Sequence, residues 1–214
     1  VDDAVVEESK ELLIAMGIPV VQAKGEGEAE AGFLVRNNKA WVSASQDYDS
    51  LLYGTPRLVR NLTLSRRRRT SSGVYVDVNP ELIDFDYLIN HLGIDRDQLI
   101  CLGILVGTDF NPGGVKGIGQ KTALEIVRKN RYPVQIFEYI EKSEKYDLNF
   151  DWQEIYREFK EYECCVNPDI EFKKPDEAKV KEILLGKEFS ESRIDSGLKR
   201  LREAREKAQQ RTLF

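Results

Sequence analysis

Apolar positions at helical spacing, Val5, Val6, Leu12, Leu13 and Met16, run up to Gly17 and predict a helix over Asp3–Met16. Ile18–Val21 follows as a short apolar strand. Glu26–Asn37 reads as a second helix, Ala40–Ser45 as a second strand and Arg57–Leu62 as a third. Strand, helix and strand within about 30 residues make a βαβ unit, which implies a parallel sheet with helices on its faces. Beyond Asp77 the pattern turns helical almost throughout, over Pro80–Leu92, Arg96–Val106, Gln120–Asn130, Pro133–Ile140, Trp152–Cys165, Asp176–Leu185 and Ser190–Gln210. This half reads as a helical extension on the sheet. Gly107–Gly119 interrupts it with five glycines and one proline in 13 residues, and Arg66–Arg69 with Thr70–Gly73 reads as a polar, basic loop between two strands.

Composition then narrows the chemistry. With 214 residues, 41% hydrophobic and 32% charged, the chain is a folded one with room for one large domain, or one plus an appendage. A single histidine, His91, removes imidazole-built zinc sites and Ser-His-Asp or Cys-His catalysis. Any resident metal must be held by oxygen, which favours Mg²⁺ or Mn²⁺. Cys101, Cys164 and Cys165 are odd in number and form no CxxC, so a disulfide framework is not expected and a reducing, intracellular setting fits. No apolar run reaches 18 residues, so no membrane span is expected. The net charge of −5 excludes a uniformly basic coat. Locally the balance differs: six basic and no acidic side chains over 50–76, and five against one over 110–137, leave two basic segments for a polyanion. The chain opens on Val1, straight into a helix, as a piece of a longer polypeptide would.

Ligands of parallel sheets sit beyond the carboxyl ends of the strands, so the acids there matter most. Glu26, Glu28 and Glu30 follow one expected strand, and Asp47 and Asp49 another. In extended chain, positions i and i+2 project to one side about 7 Å apart, so Asp47 and Asp49 can converge on one ion or two. Plainer roles stand beside this one. Glutamates at a helix start suit its dipole, and aspartates favour turns. Asp109 follows the apolar run 102–108 and serves either this acidic set or the cap of the next segment. Gly117-Ile118-Gly119, with Lys116 and Lys121 on either side, leads into a helix and lets backbone N–H groups approach a phosphate. It lacks the ending of a P-loop and the GxGxxG of a dinucleotide fold, so a helix-hairpin-helix grip on a nucleic-acid backbone matches better than a simple connector.

Four segments, Gln22-Ala23-Lys24-Gly25-Glu26-Gly27-Glu28-Ala29-Glu30-Ala31, Ser43-Ala44-Ser45-Gln46-Asp47-Tyr48-Asp49-Ser50-Leu51-Leu52-Tyr53-Gly54, Val106-Gly107-Thr108-Asp109-Phe110 and Gly117-Ile118-Gly119, together resemble the flap endonucleases. These are structure-specific 5′ nucleases, and the wording is similar to that of archaeal members. The resemblance implies an α/β fold: a parallel-sheet, PIN-like 5′-nuclease core whose carboxyl-terminal part is 1–109, then a helix-hairpin-helix and helical extension over 110–214. It implies a metal-dependent endonuclease that cuts branched DNA at 5′ flaps in replication and repair. Two Mg²⁺ ions, with Mn²⁺ as a substitute, would be bound by Glu26, Glu28, Asp47, Asp49 and Asp109. By position Glu28 and Asp47 would be inner ligands and the other three would act directly or through water, while Glu30 is left to helix solvation. Lys116, Gly117, Gly119 and Lys121, with Arg128 and Lys129 nearby, would contact DNA phosphates, aided by a monovalent cation such as K⁺ at the hairpin. Arg66–Arg69 would be a second backbone contact or a solvated loop.

Family members also carry an amino-terminal segment with further metal-binding aspartates, basic residues at the scissile phosphate and a helical arch, which nothing before Val1 supplies here. The site is therefore expected to be incomplete in these 214 residues. At the other end, Gln210 and Leu213 fit the first half of the peptide that docks on the replication sliding clamp, without its two aromatic anchors. The expectation is thus a monomeric, intracellular DNA-binding nuclease, cytoplasmic or at the nucleoid in an archaeon and nuclear in a eukaryote. A related 5′ exonuclease or bubble-cutting nuclease, or a non-catalytic DNA-binding module with structural acids, are the alternatives.

Overall fold

The computed structural model describes residues 2–62, 67–166 and 168–211. Its elements run α1 (Asp3–Ala15), α2 (Gly27–Arg36), β1 (Ser43–Ala44), α3 (Asp49–Leu52), β2 (Arg57–Arg60), β3 (Arg67–Arg69), β4 (Tyr75–Asp77), β5 (Glu81–Asp84), α4 (Phe85–Leu92), α5 (Arg96–Val106), α6 (Gln120–Lys129), α7 (Pro133–Glu141), α8 (Trp152–Lys160), α9 (Glu177–Gly186) and α10 (Glu191–Arg211). The chain divides into two compact units, Val1–Gln22 with Asn167–Phe214, and Ala23–Val166. The boundary at 109/110 drawn from the sequence falls inside the second of these. Among the described residues no helix is long and apolar enough to cross a membrane.

The first unit is built from α1, α9 and α10. Asp2 caps α1 by accepting from the Ala4 N–H at 3.1 Å, and Asp176 caps α9 through the Lys179 N–H at 3.0 Å. Ala15, Val180, Ile194 and Leu198 are its buried centre. Ile18–Val21, expected as a strand, is not one. Pro19 has no N–H to give a ladder, and no strand of the described residues pairs with this segment.

The second unit carries a three-stranded sheet in the order β1-β2-β5. β1 and β2 are parallel, as the βαβ pattern requires, with α3 between them; β5 is antiparallel to β2, from Arg57 opposite Asp84 to Arg60 opposite Glu81. The sheet is mixed, and the expected helix over Pro80–Leu92 is half strand. Pro80 resembles a helix start, yet the cap that starts α4 is Asp84, which accepts from the Tyr87 N–H at 2.9 Å. The residues before it are taken by pairing with β2. Strand β2 stops early because Asn61 turns left-handed, at φ 59°.

Arg67–Arg69, expected in a loop, form β3 and pair antiparallel with β4. The polar Thr70–Gly73 segment is the turn of that hairpin: Thr70 N–H donates to Val74 O at 2.8 Å, Gly73 N–H to Thr70 O at 2.9 Å, and Gly73 takes φ 83°. Arg66 and the side chains of Arg68 and Arg69 lie outside the described residues. So do Leu213 and the side chain of Gln210, the two expected clamp-docking positions.

Helices α6, α7 and α8 pack on α5, and together they share one core with the sheet. Ile100, Cys101, Ile104 and Leu105 of α5 are fully buried against Leu58 of β2, Ile136, Phe137 and Ile140 of α7, and Phe159 of α8. Helix α5 starts on a reciprocal capping box, with Asp95 and Gln98 each satisfying the other's backbone N–H. Helix α8 ends at Lys160 rather than Cys165, because the chain beyond it turns back onto α2. There the Tyr162 hydroxyl donates to Tyr53 O at 2.9 Å and accepts from Arg36, and the Cys165 N–H donates to Glu30 at 2.9 Å.

Candidate metal centre and nucleic-acid interface

Asp47 and Asp49 are brought together by two successive turns rather than by the pleat of an extended strand. Ser45, just past β1, accepts the Asp47 N–H at 3.0 Å, and Asp47 accepts the Asp49 N–H at 3.2 Å. Each is a polar side chain bonding the backbone two residues on, the local preference that makes Ser and Asp turn-formers. The second turn launches α3, so Asp49 lies in its first turn, where the dipole suits a carboxylate. Arg60 of β2 holds the outside of the bend: its Nε donates to Gln46 O at 3.1 Å and its guanidinium lies 3.8 Å from the Tyr48 ring centroid.

Asp109 comes from the far end of α5, where two glycines let the chain double back. Gly107 has φ 117° and Gly114 φ 60°, and a Cβ on Gly114 would meet Leu105 O at 2.4 Å. Only glycine allows that crossing. Buried Asn111 fastens it. Its side-chain N–H donates to Ile104 O at 2.7 Å, satisfying a carbonyl at the helix end, and its Oδ1 accepts from the Thr108 hydroxyl at 2.7 Å and the Thr108 N–H at 3.2 Å. Asp109 is left exposed between these anchors.

Asp47, Asp49 and Asp109 each present a carboxylate oxygen within 4.8 Å of the others. Glu28, half-buried in the first turn of α2, joins them through Ser45, whose hydroxyl donates to Glu28 Oε1. Burial pushes the Glu28 carboxyl up, and the charges of Asp47 and Glu26 add to this. Burial likewise pushes Asp49 up, to about 6, with Asp47, Asp109 and Glu28 adding to it. Among the described residues, none of the ion pairs involves these four acids. Four carboxylates crowded without a basic partner are a donor set suited to a hard divalent cation. Glu26 stands apart from the three aspartates, exposed at the N-cap of α2 without a side-chain capping bond.

The titration of Asp49 sets a direction for stability. Its folded value, about 6, lies above the ordinary 3.8, so between these limits the folded state binds the proton more tightly and stability falls as pH rises. In EDTA, the melting temperature of Asp49→Asn is therefore expected to fall less than that of the unsubstituted chain between pH 4 and 7, and to exceed it above pH 6. Parallel melting curves across that range would show that the Asp49 charge is not the source of the slope.

Glu30 is not a solvated helix residue. It is 4% exposed and accepts from the Cys165 N–H, and with Arg36 and Tyr162 it fixes the returning segment against α2. The sequence carried little sign of this, because Cys165 lies 135 residues away. Ser45 was more legible: a serine two residues before an aspartate is a turn signal.

On the other side of the loop, Val115 N–H donates to Leu105 O at 2.9 Å, which pairs the glycine hairpin with the end of α5. Gly117 takes φ 85°, and Gly119 is the N-cap of α6 with no side chain to cover it. A Cβ on either would meet nothing within 4 Å, so the surface here is open. Lys116 and Lys121 are exposed on either side. Arg128 and Lys129 are at the opposite end of α6, about 12 Å along the axis at 1.5 Å per residue. Arg128 is directed elsewhere, its Nε donating to Leu92 O at 2.7 Å.

Comparison with known proteins bears on the same segments. The XPG I-region family matches residues 17–109, which include all five expected metal-binding acids. The chain is similar to flap endonuclease 1 of Hyperthermus butylicus, 50% identical over 204 residues, covering 94% of this chain and 57% of that protein. Over most of its length the chain is homologous to flap endonucleases, at 42–50% identity. Among solved structures it is similar to flap endonuclease-1 from Methanococcus jannaschii, at a TM-score of 0.79 and 37% identity over 94% of this chain and 58% of that one. It is also similar to human GEN1 in complex with Holliday junction DNA, at 0.72 and 27% over 93% and 52%. The chain thus spans little more than half the length of those relatives, and its fold is the 5′-nuclease fold they share.

Proposed function

We propose that this chain carries a carboxylate metal centre and a phosphate-gripping hairpin of a structure-specific endonuclease that hydrolyses phosphodiesters at 5′ flaps of branched DNA. The observation that supports it most is the convergence of Asp47, Asp49 and Asp109 from two separate segments, in a chain homologous to flap endonucleases. Asp47, Asp49 and Asp109 would hold Mg²⁺, or Mn²⁺ in its place, with Glu28 at the same centre and Glu26 reaching it through water. When bound, a pair of such ions supplies Lewis acidity at the scissile phosphate and a reactive water at neutral pH, which explains why a chain with one histidine needs no imidazole base.

The chain's own residues then do the positioning. Backbone N–H groups at the open start of α6, with Lys116 and Lys121, receive phosphates of one strand without reading sequence. Gly117 and Gly119 allow the close approach, and a K⁺ ion on hairpin carbonyls belongs to this reading. Lys129 would extend the track along α6, whereas Arg128, held by Leu92 O, would not take part. Docking of a sliding clamp through Gln210 and Leu213, a monomeric state and an intracellular location complete the proposal.

The test is cleavage, by this chain extended to the full length of its relatives, of a double-flap duplex compared with a blunt duplex of the same sequence, in Mg²⁺ and in EDTA. Cutting confined to the base of the 5′ flap and abolished by EDTA is expected. Equal cutting of the blunt duplex favours the 5′-exonuclease reading, and binding of both DNAs without cutting favours a DNA-binding module.

A further inference from the structure

Ser45 occupies a junction that none of the acids around it explains. Its backbone N–H donates to Val59 O at 3.2 Å, continuing the β1–β2 ladder by one residue and fixing Ser45 to the sheet. Its hydroxyl has one proton, and that proton goes to Glu28 Oε1. A lone pair on the same oxygen accepts the Asp47 N–H at 3.0 Å. One residue therefore joins the first turn of α2, the edge of the sheet and the bend that carries Asp47 and Asp49.

Glu28 and Asp47 repel each other, and burial disfavours the Glu28 charge. Ser45 and Ser50 both present a hydroxyl to Glu28, and of the two only Ser45 also carries the Asp47 turn. The donor on Ser45 offsets that repulsion at one carboxylate oxygen and holds the group beside Asp47. We propose that Ser45 is a positioning residue, which sets the register of Glu28 against Asp47 so that the two can share a divalent cation. The proposal rests on the metal-centre reading above. Hydrogen-bond partners behind metal ligands act in this way, by fixing ligand orientation before the ion arrives.

Calorimetric titration of the chain with Mn²⁺ tests it, alongside a melting temperature for each variant. Ser45→Ala is expected to weaken Mn²⁺ binding by about tenfold, the lower end of the effect of removing such a partner. Ser45→Thr keeps the hydroxyl and is expected to restore binding to within about threefold of the unsubstituted chain. A serine with only a structural role would lower the melting temperature without this split in affinity. Should Ser45→Ala fail to fold, Ser45→Cys keeps the shape while weakening the donor, and is expected to bind Mn²⁺ less tightly than Ser45→Thr. Full-strength binding by the folded Ala or Cys variant overturns the positioning role while leaving the metal centre standing, and so does a Thr variant as weak as Ala. Failure of the unsubstituted chain to bind Mn²⁺ overturns both.

Discussion

In this chain extended to the full length of its relatives, Asp47→Ala is expected to lower the rate of 5′-flap cleavage by at least about 10³-fold, since a catalytic metal supplies several kcal/mol of transition-state stabilisation and each 1.36 kcal/mol is tenfold. Affinity for the same DNA in EDTA, read by fluorescence anisotropy, should change little. The grip on phosphate is assigned to the hairpin at the start of α6, not to the acids. Asp47 has a second task, because its Oδ1 accepts the Asp49 N–H and so shapes the start of α3. Alanine removes both the charge and the turn. Asp47→Asn separates them: the amide oxygen still accepts from Asp49, and only the charge is lost. The Asn variant is therefore expected to lose cleavage nearly as completely as the Ala variant while keeping the melting temperature of the unsubstituted protein or exceeding it, because one repelling charge has gone. Retained cutting in Asp47→Asn would remove Asp47 from the metal centre.

The largest expected effect on stability belongs to Gly114→Ala. At φ 60° an alanine is strained, and its Cβ would lie 2.4 Å from Leu105 O and 2.4 Å from the Val106 carbonyl carbon, both backbone atoms at the end of the buried helix α5. Neither can withdraw without opening the α5 terminus, so a loss of about 3 kcal/mol or more is expected, from left-handed strain and steric clash together. Gly113→Ala is the internal control. It has a comparable φ of 88°, but its Cβ would meet nothing within 4 Å, so strain alone should cost about 1–2 kcal/mol. Urea denaturation of the two variants measures the difference. Equal losses would mean that the backbone crossing between Gly107 and Gly114 does not set stability. Because Asp109 lies inside this crossing, Gly114→Ala should also weaken Mn²⁺ binding in whatever fraction remains folded.

Helices were largely legible in the sequence because their signals are local. The helical pattern placed α5 at Arg96–Val106 and α9 at Asp176–Leu185, and each begins within a residue of that start, on the caps Asp95 and Asp176. The strands were less so. Glu81–Asp84 carries a helix-like beginning after Pro80, and only pairing with β2 makes it a strand. Arg67–Arg69 has no apolar alternation at all and is a strand because the turn over 70–73 returns β4 to it. Ile18–Val21 shows the reverse, an apolar run of strand type that meets no partner among the described residues. Strand assignment depends on a partner distant in sequence, which no local window contains.

The acids divide along the same line. The sequence by itself determined the kinds of group on offer: carboxylates in place of histidines, which suit hard divalent metals, and a glycine hairpin with flanking lysines, which suits phosphate. It also placed Asp47 and Asp49 together, since residues two apart cannot be far from each other. Tertiary structure alone decided which acids share a centre. Asp109 reaches Asp49 because Gly107 and Gly114 let the chain double back at the end of α5, while Glu28 is tied to the Asp47 turn through Ser45 and Glu26 is left at an exposed cap. It also turned Glu30, indistinguishable from its neighbours by spacing, into a buried acceptor for a segment 135 residues away. Charge type is a property of each residue; convergence and burial are properties of the packed chain, and they decide what the charges can do.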